Sequence, residues 1–478
     1  MKIKSKVKNY LIYFYNFFLK LFFVANNFLK LFFVAYKKLN PVNDKVFDFL
    51  TTLYLNLSSI KYKFFQQKIT IKNRILLCGN VANNLYRMVK VLRNINIKAD
   101  LVISDYFDFD FFSRPFSLDN DFNFSSSDNH NMKKIKNKEK GFVIPNYVKS
   151  VGKNKIYFKG SLISKCINFQ KYFYKETGKK LSFFKSLVLI NLGLYEFIPI
   201  LILIYKNKYD YLILSYNTLP LGIFIDIKFS IFPVGGDHHL YIKQKTLMGK
   251  IYRLSYLKSD KILIGTNNSY ADIYGNLKNY KSKHIFFPLI YNEKDFKIKK
   301  KDNLFFNLKK FDSNKIIIGN LCRQNWKWKK NYLILNTLKK LPDRFILLLI
   351  EWGDDVQRSK DFIKKNSLGK RIIWFSPCSK VRLNKIISVC DLIVDQFSMN
   401  SISATCVESM FNKKPVICKY FSKESHPVLN LENETEIKNF LTNCSKKNLK
   451  KIGNKSYQWI KSKKGESKIQ LYKDFFCN

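Results

Sequence analysis

Between residues 315 and 420 five short apolar runs recur: KIIIGNL (315–321), RFILLLIEWG (344–353), RIIWFSP (371–377), DLIVDQF (391–397) and KPVICKY (414–420). Each is separated from the next by a segment of helical length. An unbroken apolar run of strand length suits a strand buried on both faces. Alternation with helix-length segments then implies parallel strands with helices covering both sides of the sheet. This pattern narrows the fold class to α/β.

The first half shows the same grammar. RILLCGN (74–80) reads as a buried strand ending in a turn, and VANNLYRMVKVLRNINI follows with Val81, Leu85, Met88, Val89 and Leu92 at helical spacing. KADLVIS (98–104) completes a βαβ opening. Further strand candidates are YDYLILS (209–215), FSIFPVGGD (229–237) and KSDKILIGTNNS (258–269). Residues 118–141 are polar and low in complexity, as expected of a mobile loop insertion. The reading is two Rossmann-like domains facing across a cleft. Residues 71–298 form the first domain and 299–460 the second, with a terminal helix at 461–478 returning to the first. Ligands of such sheets sit beyond the carboxyl ends of the strands, which places them in the cleft.

Composition excludes several alternatives. With 478 residues, 46% of them hydrophobic, the chain buries two cores and is not disordered. The net charge of +50 is carried almost wholly by lysine, since arginine occurs only ten times among 85 basic residues. Base and phosphate recognition favours arginine forks, so nucleic acid is not the expected partner. Solvated lysine-rich faces, enriched with Asn, Ile, Phe and Tyr as A/T-rich codons would give, account for the charge, and an anionic membrane surface is the expected partner. Nine scattered cysteines without a C-x-x-C pair read as reduced core thiols, and five histidines without ligand spacing argue against a metal site. The chemistry-bearing face is therefore expected in the cytoplasm.

The N-terminal 70 residues form a hydrophobic and basic extension. FLKLFFVA occurs at 18–25 and again at 28–35. At helical spacing, Asn9, Asn16, Lys20, Asn26, Asn27, Lys30, Lys37 and Lys38 share one arc about 120° wide. A helix of this kind can lie in the plane of the membrane's inner face with its lysine heads snorkelling. A membrane span, or a helix docked on the protein itself, remains open.

Two constellations carry chemistry. In 391–418, DLIVDQFSMNSISATCVESMFNKKPVIC, a strand runs into a polar turn and then a helix bearing Glu408, the only acid between Asp395 and Glu424. A carboxylate there can accept hydrogen bonds from two ribose hydroxyls, while the helix N-terminus and turn N–H groups can hold a diphosphate. In 319–332, GNLCRQNWKWKKNY, Arg323 and a lysine about six residues on follow the first strand of the second half. Two cations can stabilise the charge growing on a leaving nucleoside diphosphate without a metal. Trp326 and Trp328 can wall the cleft.

These segments resemble the retaining GT-B glycosyltransferases of the bacterial "group 1" type, with motif-grade matches confined to 319–330 and 391–418. The resemblance implies a sugar transferred from a nucleoside-diphosphate sugar to a hydroxyl of a glycan or lipid-linked acceptor, with retention, no metal and no cofactor. It places Arg323 and Lys329 on the diphosphate, with Lys327 or Lys330 as alternatives to Lys329, and Glu408 on the ribose. The family's first glutamate falls at Asn400 and its phosphate-side glycine at Ser403. Related sequences carry an aspartate-glutamine pair like Asp395-Gln396. Gly353 would lie near the nucleotide base, and Gly79 and Asn80 would approach the reacting sugar. In GGDHH (235–239), Asp237 or His238 would polarise the acceptor hydroxyl or meet the transferred sugar; a tight turn capped by the aspartate is the structural alternative. A nucleotide-sugar epimerase of the same fold and a non-catalytic membrane-associated scaffold are the rival readings.

Overall fold

The computed structural model describes residues 44–64, 74–125, 131–152, 156–234, 241–265, 278–296, 314–398, 400–422 and 424–477. The repeated block at 18–35 and the Gly235–His239 turn, with Asp237 and His238, lie outside them. Helix α1 (Asp44–Phe64) is the described part of the N-terminal extension. Among the described residues no helix is long and apolar enough to cross a membrane.

Two wholly parallel sheets follow. The first has seven strands: β1 (Ile75–Cys78), β2 (Ala99–Ser104), β3 (Val148–Val151), β4 (Tyr211–Leu214), β5 (Lys228–Ile231), β6 (Ile262–Ile264) and β7 (His284–Phe286). Their order is β3-β2-β1-β4-β5-β6-β7. The second has five: β8 (Ile316–Asn320), β9 (Phe345–Ile350), β10 (Ile372–Phe375), β11 (Leu392–Val394) and β12 (Val416–Ile417), in the order β10-β9-β8-β11-β12. Ile75 sits between Ala99 and Tyr211, and Ile316 is in register with Phe345. Strands β1, β2, β4 and β9 are buried along their whole length, as continuous apolar runs require. The five runs of the second half are its five strands.

The two strands that the apolar pattern does not announce, β3 and β7, are the edges of the first sheet. VKSV in β3 is buried only at its ends and HIF in β7 is half-buried throughout. An edge strand lacks a neighbour on one side, so its side chains need not be uniformly apolar.

One expectation is overturned. The polar stretch 118–141 is not a loose insertion where it is described. Residues Met132–Glu139 form a helix with Ile135 buried, and Arg114 holds Glu139 at 2.6 Å. Phe122 and Phe124, spaced among the polar residues, pack with Phe111, Phe112 and Phe116. The same segment reaches the second domain. Phe124 donates its N–H to Pro377 O (2.8 Å), Ser379 returns one to Phe122 O (3.0 Å), and Arg382 meets Asp121 at 2.7 Å. Polar composition concealed an aromatic staple.

A second crossing lies at the other end of the chain. Helix α2 (Asn84–Asn94) follows β1, α3 (Lys380–Val389) follows β10, and α4 (Ala404–Phe411) follows the turn after β11. Helix α5 (Lys446–Lys464) then ends where Lys464 O accepts the Tyr291 N–H at 2.8 Å, and α6 (Ile469–Cys477) lies on the first sheet. Tyr472 stacks on Phe287 at 4.1 Å and donates to Pro288 O, and Phe475 and Phe476 meet Tyr211. Eight of the nine cysteines are buried, packing as small apolar residues.

Candidate donor site at the strand ends of the second domain

Parallel strands end together, so the turns after β8, β9, β11 and β12 gather at one edge of the sheet. Three of them carry residues that the sequence singled out. The turn after β9 contains Gly353, at φ +124°, and a Cβ there would lie 2.3 Å from Gln324 O and 2.7 Å from Arg323 Cγ. Only glycine permits this approach. Gly353 therefore lets this turn close on the Gln324 backbone and the stem of Arg323, and Gln324 N–H to Trp352 O (2.7 Å) fastens the two turns. Among the described residues the Arg323 guanidinium has no hydrogen-bond or ion-pair partner. It is a cation without a fixed counter-charge.

Lys329 differs. Its ammonium donates to Asp395 (3.1 Å) and to the Gln396 side-chain oxygen (2.9 Å) at the end of β11. Asp395 is fully buried. Burial would push its carboxyl up, but the Lys329 ammonium, the Ser403 hydroxyl and the Cys406 thiol outweigh it and hold it below the usual carboxylate range. Burial would likewise lower Lys329, and Asp395 raises it instead. The pair stays ionised. The Asp395-Gln396 pair thus aims one lysine of a lysine-rich loop. Lys327 is exposed beside Trp328, and Lys330, at φ +52°, adopts a left-handed turn conformation.

The turn from Asp395 to Ser403 is pinned by its own side chains. Gln396 donates to Ser401 O (2.7 Å), Ser398 to Trp328 O, and Ser403 to Asp395. Ser403 also caps α4 by accepting the Cys406 N–H at 3.2 Å, one of the four first-turn donors that lack an intrahelical acceptor. The Asn400 side chain accepts from Phe421 N–H (2.6 Å) and donates to Phe421 O (3.3 Å). It holds backbone after β12 rather than standing free.

Glu408, on the second turn of α4, is completely buried. Arg87 of α2 donates to one oxygen at 3.0 Å and Lys380, at the start of α3, to the other at 2.9 Å. Arg87 also lies 4.6 Å from the Tyr291 ring centroid, and Tyr291 and Phe296 stack on Phe411. Neither Arg87 nor Lys380 stood out as a site residue in the sequence. The available signal was scarcity: an arginine in a chain that uses lysine almost everywhere is a residue whose fork is needed.

On the facing domain, Gly79 has φ +91°, and a Cβ there would lie 2.2 Å from Ser215 O. Asn80 is buried. Its amide donates to Asn83 and to Ser113 O, its oxygen accepts Tyr86 N–H, and its own N–H goes to Asp108. The side chain organises the turn from within. Trp326 is similarly structural, with its indole N–H on Ser359 at 2.9 Å. Among the described residues no group of three His, Cys, Asp or Glu side chains gathers as a metal site.

Two parallel α/β domains, joined by a chain that crosses over and returns in a final helix, define the GT-B fold. Solved structures of that fold superpose on most of the chain. Anabaena HepE in complex with UDP and glucose matches with a TM-score of 0.57 at 13% identity, over 85% of this chain and 100% of that one. Sucrose-phosphate synthase from Thermosynechococcus elongatus gives 0.55 at 13% over the same shares. S. aureus TarM, as a mutant in complex with Fondaparinux, alpha-GlcNAc-glycerol and UDP, gives 0.52 at 11%, again over 85% and 100%. No protein-family model and no curated protein sequence matches the chain.

Proposed function

We propose that this protein is a glycosyltransferase that moves a hexose or related sugar from a nucleoside-diphosphate sugar to a hydroxyl of a glycan or lipid-linked acceptor. The reading includes retention at the anomeric carbon, no metal, and work at the anionic inner face of a membrane in polysaccharide assembly. The observation that carries it is Arg323, a cation unpaired among the described residues, in the turn after β8 that also carries the aimed Lys329. As the bond to the sugar breaks, negative charge grows on the leaving diphosphate. Preplaced cations stabilise that charge more than they stabilise the bound substrate. Lys329 brings a tethered charge already balanced by Asp395, so Arg323 supplies the larger share. The first-turn N–H groups of α4 add to it.

Glu408 is the ribose ligand in this reading. Its carboxylate also carries Arg87 from the opposite domain, so nucleotide binding and domain closure draw on one group. HepE is also solved with UDP-glucose, so UDP and UDP-glucose are the first probes.

The test uses purified protein and a panel of uridine and guanosine diphosphate sugars, scored first by the rise in melting temperature and then by turnover. Arg323→Ala should reduce donor hydrolysis or transfer about 10²–10³-fold, with the unliganded melting temperature unchanged because Arg323 holds nothing in the fold. Near wild-type turnover in that variant overturns the assignment.

A further inference from the structure

Two large aromatic rings stand in solvent at the strand ends of the second domain: Trp328 is 51% exposed and Phe421 47%. Isolated exposed rings are ordinary. These two are not isolated in construction. Trp328 lies in the turn after β8 and Phe421 in the turn after β12, and β8 and β12 are the two neighbours of β11 in the sheet. The turn after β11 grips both of them. Ser398 donates to the Trp328 carbonyl, and Asn400 forms a two-point pair with the Phe421 backbone, 2.6 Å and 3.3 Å. Ser398 and Asn400 are two residues apart, so the anchors are at most about 7 Å apart along the chain.

A turn whose polar side chains are engaged by one another, by Lys329 and by backbone offers a ligand few polar groups of its own. What it presents is the pair of rings it holds in place. Each ring has an ammonium nearby, Lys327 Nζ at 5.7 Å from the Trp328 centroid and Lys419 Nζ, which also meets Glu432 at 3.3 Å, at 5.7 Å from the Phe421 centroid. A flat apolar surface edged by hydrogen-bond donors matches a pyranose ring, whose C–H groups form an apolar face and whose hydroxyls project around the rim.

We infer that Trp328 and Phe421 form a stacking platform for a pyranose ring, and that Asn400 and Ser398 are its positioning residues. The inference rests on the sugar-transfer reading and deepens it. The ring belongs either to the donor's sugar or to the acceptor glycan, with the same chemistry in both cases. It also gives the residue at position 400 a role that an ionised glutamate could not fill, because a carboxylate accepts the Phe421 N–H but has no hydrogen to donate to the Phe421 carbonyl.

Calorimetry on the full-length protein tests this with three kinds of probe. These are the parent diphosphates UDP and GDP, the corresponding panel of nucleotide sugars, and maltotriose added in the presence of the diphosphate. Trp328→Ala and Phe421→Ala should keep wild-type affinity for the diphosphate. They should lose at least tenfold for a nucleotide sugar if the donor ring stacks there, or for maltotriose if the acceptor does. Trp328→Phe and Phe421→Tyr should retain the affinity. Asn400→Ala should lose part of it and Asn400→Asp, which keeps the acceptor for Phe421 N–H, should lose less. Alanine variants that bind every sugar probe like wild type overturn the platform, as does an equal loss for diphosphate and sugar. A wild-type protein that binds the diphosphate but no sugar more tightly also overturns it while leaving the nucleotide site standing. Wild-type protein that binds no diphosphate at all overturns the transfer reading itself.

Discussion

The turn after β1 and the turn after β11 look alike in sequence and serve different ends. Both follow a buried strand, both are polar, and both lie at the carboxyl edge of a parallel sheet. In the first, Gly79 and Asn80 close a knot with Asn83, Ser113 and Asp108 that is buried throughout. In the second, Asp395, Gln396, Ser398, Asn400 and Ser403 are engaged just as fully, but with Lys329, Trp328 and Phe421 held around them. Polar residues in a turn therefore do not by themselves mark a ligand. On the proposed reading the ligand falls to groups those bonds do not engage, the Arg323 guanidinium and the two exposed rings beside the second turn.

The largest test of this contrast concerns the pair that joins the two domains. Glu408→Ala would leave Lys380 without its carboxylate and Arg87, whose side chain is 7% exposed, with only the more distant Asp295 at 3.9 Å. Removing one partner of a buried pair costs about 3–5 kcal/mol. Urea unfolding should show that loss, and Arg87→Met in the same chain should recover part of it, giving a coupling energy by double-mutant cycle. Strictly additive effects would mean that the two domains do not meet through Glu408.

How much of this was legible follows from what each feature depends on. The five strands of the second sheet are continuous apolar runs because both faces are covered, so their order along the chain is readable without coordinates. The edge strands β3 and β7 are not, because half-buried positions tolerate lysine, serine and histidine. Arg323, Lys329 and Glu408 could be placed at strand ends and on a helix by spacing. Their partners could not. Arg87 is 321 residues from Glu408 in the chain, and nothing local to either position points to the other. The staple at Phe122 and Phe124 was hidden by the polar residues between its rings. The roles of Asn400 and Ser403 were hidden by their type, since the same amide and hydroxyl serve a sugar or a backbone equally well.

The next effect belongs to the first turn alone. Asp108 accepts the N–H groups of Asn80 (2.9 Å) and Ser104 (2.9 Å), yet burial pushes its carboxyl up to about 7 against those bonds and the nearby Arg114. Its folded-state pKa lies above the unfolded one, near 3.9. The folded protein therefore binds the extra proton between those values, and this contribution to stability falls as pH rises from about 4 to about 7. Across that window Asp108→Asn should flatten the pH dependence of urea unfolding, although it loses one of the two N–H acceptors. Above pH 7 the slope from this residue is gone in both proteins. An unchanged slope in the variant would show that Asp108 is ionised throughout, and the knot would then be held by charge.

The smallest effect separates the two turns most sharply. At Gly79 the backbone is left-handed and an added methyl meets the Ser215 carbonyl at 2.2 Å, so Gly79→Ala carries backbone strain of about 1–3 kcal/mol before any clash is relieved. Ser403→Gly moves in the opposite direction, towards the glycine of the family it resembles. Ser403 has φ −72°, so the substitution relieves no strain. It removes the helix cap, for which glycine is only a few tenths of a kcal/mol worse, and one hydroxyl bond to Asp395, for a total near 1 kcal/mol. Lys329 and Cys406 still hold the carboxylate. The first turn should thus be intolerant where the second is permissive, and parallel urea titrations of the two variants would show it. Should Ser403→Gly prove the more damaging, the hydroxyl on Asp395 matters more than the lysine does, and the turn after β11 is as closed a knot as the one after β1.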